Sequence, residues 1–234
     1  MLKALKQHLT KPVTRYALLS VLCGVLLYCF SSIDVAITSL FYDPSKGGFY
    51  LKPHPLLMLV HNGVGWVVGG MLVVYILLML INTIAKRPVL GRLTNWGLLY
   101  LILAILMGPG FVVNTVLKDH VGRARPVQIQ EFGGDKIFTP PFVISDQCER
   151  NCSFVSGDPS VGFVLFVFGM LYGRKFFWIA SLVGGGIGAV RIMQGAHFFS
   201  DVVFSGIFTF WVCYLLYHAM AACLKHRRFI QLLP

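Results

Sequence analysis

The 234-residue chain is 56% hydrophobic and only 12% charged, about half the charged share of an ordinary soluble domain. That composition excludes a soluble protein, and no polar stretch is long enough to build a second domain in water. The formal charge of +11 would fit nucleic acid or anionic lipid, but where the cations sit matters more than their total.

Residues 1–15 are short and basic, with Lys3, Lys6, Lys11 and Arg15. An apolar first span follows at 16–30. No small-residue cleavage site closes it, so it reads as a retained helix and not a signal peptide. Residues 31–55 form a polar loop with short hydrophobic pieces, Asp34 and Asp43. The second span, 56–83, is rich in glycine (Gly63, Gly65, Gly69, Gly70), a composition that suits close helix packing in lipid. A basic turn at 85–92 leads to the third span, 96–117, which Gly108, Pro109 and Gly110 should kink. A long polar loop occupies 118–159. The fourth span is 160–172, the fifth 176–190 with Gly184 to Gly186, and the sixth 202–223 before a basic tail. The expectation is an all-α integral membrane protein, a six-transmembrane-helix bundle forming a single domain over 1–234 with its core motifs at 118–201.

Six spans place both termini on one side, and the charges agree. That side holds 12 of the 20 basic residues and none of the nine acidic ones; the other holds eight basic and nine acidic. By the positive-inside rule the termini are cytoplasmic and the long loop faces outward, to the periplasm of a Gram-negative cell.

The outward side carries three clusters. The first is Lys118, Arg123 and Arg125, followed by Pro126, where the third span ends. A lysine point charge and the planar fork of an arginine together suit a phosphate dianion, although basic residues also anchor lipid headgroups. The second is Ser156, Gly157 and Asp158, just before the fourth span, where backbone N–H groups and a hydroxyl make an anion site. Asp158 alone reads more readily as a helix cap or first-turn acid. The third is VRIMQGAHFFSD at 190–201, with Arg191 and His197 six apart and His197 and Asp201 four apart. On a helix the Asp201 carboxylate would reach the His197 imidazole and fix its tautomer; the triplet alone also fits a solvated helix end.

Taken together, these clusters resemble the type 2 phosphatidic acid phosphatase superfamily. Its pattern is Lys-x6-Arg-Pro, then Pro-Ser-Gly-His, then Ser-Arg-x5-His-x3-Asp, and the first and third spacings match in full here. The resemblance implies a helical bundle with its site at the membrane surface. It implies that His197 is the nucleophile, forming a phosphohistidine, that Asp201 orients it, and that Lys118, Arg125, Arg191, Ser156 and the Gly157 amide hold the phosphate. It implies no metal and no cofactor, and no metal-ligand spacing is apparent. Two positions depart from the pattern. Val190 replaces a serine, and Asp158 stands where the family has the histidine that protonates the leaving group. Asp158 would take that acid role only if protonated, unless His120 or a good leaving group covers for it. The expected partner is a phosphorylated lipid in the bilayer, with no nucleic acid and no obligate protein partner. The loop sequence NCSFVSGDPS is closest to the form associated with lipid A phosphatases. Phosphatidylglycerophosphate and undecaprenyl diphosphate remain alternatives, as does transfer of the phosphate to another lipid. A transporter should carry ionisable residues in mid-membrane, whereas here they cluster at one face.

Among the remaining polar residues, Cys148 and Cys152 are four apart in the outward loop and are candidates for a disulfide. His54 and His61 lie at the outward end of the second span, where interfacial hydrogen bonding is the expected role.

Overall fold

The computed structural model describes residues 12–91 and 93–223, and its regular structure is almost entirely helical. Lys3, Lys6, Lys11, Arg92, Lys225, Arg227 and Arg228, which carry much of the predicted charge asymmetry, lie outside the described residues. In chain order, α1 is Pro12–Cys29, α2 is Ser32–Ser39, α3 is Pro55–Ala85 and α4 is Asn95–Ile105, which continues as a π-helix over Leu106–Leu117. Then come α5 (Gly157–Phe163), α6 (Phe166–Tyr172), α7 (Lys175–Met193) and α8 (Phe199–Cys223).

Five helices among the described residues are long and apolar enough to cross a membrane: α1, α3, α4 with its π continuation, α7 and α8. A span needs about 20 apolar residues. The predicted fourth span is instead a pair of shorter helices, α5 and α6, joined at Val164 and Leu165. Half of the most apolar window of Asn95–Leu117 is buried and none of that of α3, so α4 is central and α3 peripheral. The large apolar side chains left uncovered, such as Trp66, Leu59, Ile84, Trp178 and Leu182, are the kind of surface that lipid tails cover without cost.

Small residues let two of the helices meet. A Cβ on Gly162 of α5 would fall 2.6 Å from the Cα of Gly184 of α7, and one on Gly206 of α8 would press on the Phe163 ring. Tyr100 of α4 donates its hydroxyl to the Cys213 carbonyl of α8 at 2.9 Å. The glycines of α3 behave differently from expectation. Nothing lies within 4 Å of a Cβ built at Gly63, Gly65, Gly69 or Gly70, so these residues do not mediate packing within the chain.

Pro109 removes a backbone donor, and the third span responds by widening over a dozen residues into a π-helix. The side chains of Asn114 and Thr115 donate to the Pro109 and Gly110 carbonyls, five residues back, at 2.6 and 3.3 Å. The predicted polar loop at 31–55 is also more ordered than its composition indicates. It contains α2 and a short antiparallel pair, β1 (Tyr42–Asp43) and β2 (Gly48–Phe49), capped by the left-handed Gly47. Phe49 of β2 packs with Phe132 and Tyr42 into a small cluster beneath the long loop.

Candidate active site

Antiparallel succession brings the start of α3, the end of the π-helix, the start of α5, the end of α7 and the start of α8 to one end of the bundle. The charges there match the helix termini. Asp158 and Asp201 occupy first turns, Arg191 lies in a last turn, and Lys118 follows the last turn of the π-helix. Each sign suits the dipole it meets.

His197 is 2% exposed and lies just before α8, not within it. The predicted shared helix face is therefore not what links it to Asp201. His197 Nδ1–H donates to the Ser153 carbonyl at 2.8 Å, while the nearer Asp201 oxygen stands 3.7 Å away. A carbonyl only accepts, so Nδ1 carries the proton and the lone pair is on Nε2. Asp201 fixes the frame around the ring. Its Oδ2 accepts from the Ser153 hydroxyl at 2.5 Å and from the Phe198 N–H at 2.8 Å, the backward half of a capping box. Burial pushes the His197 ring down to about 4, opposed by Asp201 and helped by Arg125 and Lys118. The ring is therefore neutral at physiological pH.

Behind this pair runs a buried network. Arg123, fully buried, donates to Asp201 Oδ1 at 2.6 Å, to Ser200 Oγ at 2.9 Å, to Asp34 Oδ2 at 2.8 Å and to the Thr139 carbonyl at 2.8 Å. Its guanidinium also sits 4.4 Å from the Phe198 ring centre and 5.3 Å from that of Phe138. Asp34 in turn accepts the Ser200 N–H at 2.8 Å. Burial raises Asp34 above the usual carboxylate range, and Arg123 pulls it back. Of the aromatics in the long loop, Phe138 braces Arg123, and Phe142 packs on Phe154 and Phe204. Both support the site from behind.

Two of the candidate cations, Lys118 and Arg125, share Asn151 as a partner. Lys118 Nζ donates to Asn151 Oδ1 at 2.9 Å, and Arg125 donates through Nε and a terminal nitrogen to the Asn151 carbonyl at 3.2 and 2.8 Å. Burial lowers Arg125, with the Asp158 and Asp201 charges opposing. Asn151 adopts a left-handed φ of 52° inside a five-residue ring closed by a Cys148–Cys152 disulfide, whose Cα atoms are 5.6 Å apart. Opening the ring by Cys148→Ser with Cys152→Ser should cost about 2 kcal/mol from loop entropy. It should also raise KM for a phosphorylated substrate about tenfold through loss of Lys118 and Arg125 placement, read by steady-state kinetics in detergent.

Ser156 precedes α5, and its hydroxyl makes no capping bond. Buried and without a hydrogen-bond partner among the described residues, Oγ is available to an anion. Gly157 is required where it stands. A Cβ there would collide with Asn114 Oδ1 and lie 3.2 Å from Lys118 Nζ. Arg191 is 7% exposed and donates to Gln194 Oε1 at 2.6 Å, with its Nε 3.1 Å from Asp158 Oδ2.

That same Asp158 oxygen lies 2.6 Å from His61 Nδ1 of α3. His120, by contrast, spends its Nδ1 on the Val116 carbonyl at 2.7 Å. His61, Arg125, Arg191, Gln194 and Ala196, together with Lys52, line a single cavity of about 480 Å³. It is large enough for a phosphate and part of a headgroup.

Sequence reasoning located every motif residue at this end of the bundle but missed Asp34, Ser153, Asn151 and His61 as parts of the site, and it grouped Arg123 with the phosphate-type cations, whereas Arg123 is buried against Asp34 and Asp201. Asp34 left a trace: a lone carboxylate in the apolar stretch SIDVAITS, which in a membrane protein asks for a partner.

Comparison with known proteins points the same way. The chain is 54% identical over 128 residues to a lipid A 4'-phosphatase of Francisella tularensis subsp. novicida, covering 51% of this chain and 58% of that protein. It is 37% identical over 103 residues to lipid A 4'-phosphatases of Rhizobium leguminosarum and Rhizobium etli, covering 42% of this chain and 44% and 40% of theirs. The chain thus spans about half the length of these curated relatives. No solved structure matches it. The sequence model of the PAP2 superfamily matches residues 96–225, a stretch holding Lys118, Arg125, Arg191, His197 and Asp201. Since that match covers more than half of the chain, the protein belongs to the PAP2 superfamily.

Proposed function

We propose that the protein is a lipid phosphate phosphatase that removes a phosphate from lipid A at the outward face of the inner membrane, through a phosphohistidine on His197. The observation that carries this reading is the convergence of a neutral, buried imidazole with three cations and an uncommitted buried hydroxyl at one end of a lipid-exposed bundle. The lipid A substrate rests on the named relatives. In this reading the chain is one domain with six crossings, the α5–α6 pair forming the fourth, and its termini are cytoplasmic.

His197 Nε2 attacks the phosphorus in line with the leaving oxygen. Lys118, Arg125, Arg191, Ser156 Oγ and the Gly157 N–H hold the three equatorial oxygens, where charge spreads in the transition state. Arg125 exchanges the Asn151 carbonyl for a phosphate oxygen as substrate enters. Asp201 keeps Ser153 and the backbone before α8 in place, and its charge stabilises the cationic ring formed on phosphorylation. Water then attacks the phosphohistidine and frees the ring.

The test is phosphate release by purified protein from lipid A, phosphatidylglycerophosphate, phosphatidic acid and undecaprenyl diphosphate in mixed micelles containing a chelator. The expected result is release from lipid A above the others, with a base-stable, acid-labile ³²P label from ³²P-lipid A trapped on the protein by alkaline quench. Label without free phosphate would identify a transferase. Neither label nor release from any lipid would overturn the reading.

A further inference from the structure

The family pattern places a histidine where this chain has Asp158, and the structure puts a different histidine against that position. We propose that His61 is the general acid of the reaction and that Asp158 positions it, a dyad built from two helices in place of one histidine. The inference rests on the phosphohistidine reading and adds to it the source of the leaving-group proton.

Three observations support it. First, His61 and Asp158 are 97 residues apart in sequence but 2.6 Å apart in space, through Nδ1 and Oδ2. A carboxylate on Nδ1 fixes the ring and leaves Nε2 as the nitrogen that exchanges a proton. Second, Asp158 Oδ2 also faces the Arg191 guanidinium, with Nε at 3.1 Å, and a fixed cation there favours a carboxylate that accepts over an acid that donates. Third, His61 lines the same cavity as Arg125, Arg191 and Ala196, the residue before His197. Helix α3 is roughly 45 Å long, well beyond a hydrocarbon core of about 30 Å, and His61 lies only about 9 Å from its start. With the excess length shared between the two ends, the ring stands close to the boundary between hydrocarbon and headgroups, near where a lipid's phosphate emerges.

The chemistry balances. His197 Nε2 forms a bond to phosphorus as the bond to the leaving oxygen breaks. The departing electron pair takes the proton from the His61 imidazolium, whose Nδ1–H stays on Asp158. In the second step the neutral His61 Nε2 takes a proton from water as that water attacks phosphorus. The P–N bond breaks, and its pair returns to His197.

The test compares two substrates in the full-length protein: lipid A, whose alkoxide needs a proton to leave, and p-nitrophenyl phosphate, whose phenolate does not. His61→Ala should lower kcat on lipid A by about 10²–10⁴-fold and on the aryl phosphate by less than about tenfold. His61→Gln should behave the same way, with unfolding midpoints in detergent near the parent's. Asp158→Asn should show the same dependence on leaving group, more weakly. Equal losses on both substrates, or full turnover on lipid A, would overturn the proposal. Failure of the underlying reading appears separately, as absence of the ³²P-histidine label in the parent protein.

Discussion

On the proposed reading, replacing His197 by alanine should lower phosphate release from lipid A by about 10⁶-fold, the scale seen when a covalent nucleophile is removed, and should abolish the ³²P label. The neutral state of the ring has its own signature. Burial holds it at about 4, with Arg125 and Lys118 acting in the same direction and Asp201 against it. In protein labelled with ¹⁵N-histidine, the His197 resonances should therefore shift near pH 4 and stay constant through 6.5. The sign for stability follows. Below the unfolded-state value near 6.5 the unfolded chain binds a proton that the native ring refuses, so stability is lost as pH falls from about 6.5 towards 4, by up to roughly 3 kcal/mol. A ring that titrates near 6.5 would contradict the buried geometry.

Arg123→Met should be the most damaging change outside the nucleophile, and through folding, not chemistry. One guanidinium serves two buried carboxylates, Asp34 and Asp201. Its removal strands both without their cation, at an expected cost of about 3–5 kcal/mol, read as a large fall in unfolding midpoint in detergent. Asp34→Asn in the same background should recover part of the loss, since it removes one of the stranded charges. A strictly additive double variant would show that the two residues are not coupled.

Much of the fold was legible because lipid imposes a length and a composition on each crossing. The α3, α7 and α8 spans fall within a few residues of the expected ranges. The motif spacings picked out Lys118, Arg125, Arg191 and His197 for a similar reason: residue type and separation are local properties of the chain, and the structure brings these residues to one end of the bundle. What was hidden depends on long-range proximity. Ser153 reaches His197 across 44 residues, Asn151 reaches Lys118 across 33 and Asp34 reaches Arg123 across 89, and no local pattern encodes those meetings. Even the His197–Asp201 pairing, though rightly placed by spacing, arises from a helix cap and not from a helix face.

The tie between Asp34 and Arg123 bears on how such proteins diversify. The stretch matched by the family, residues 96–225, holds the proposed nucleophile, yet Asp34 lies outside it on α2. The reactive segment is thus not a portable cassette. A chimera that exchanges only residues 96–225 with a relative would separate Arg123 from the carboxylate it pairs with in this chain. For chimeras of this chain, the smallest exchangeable unit begins before Asp34.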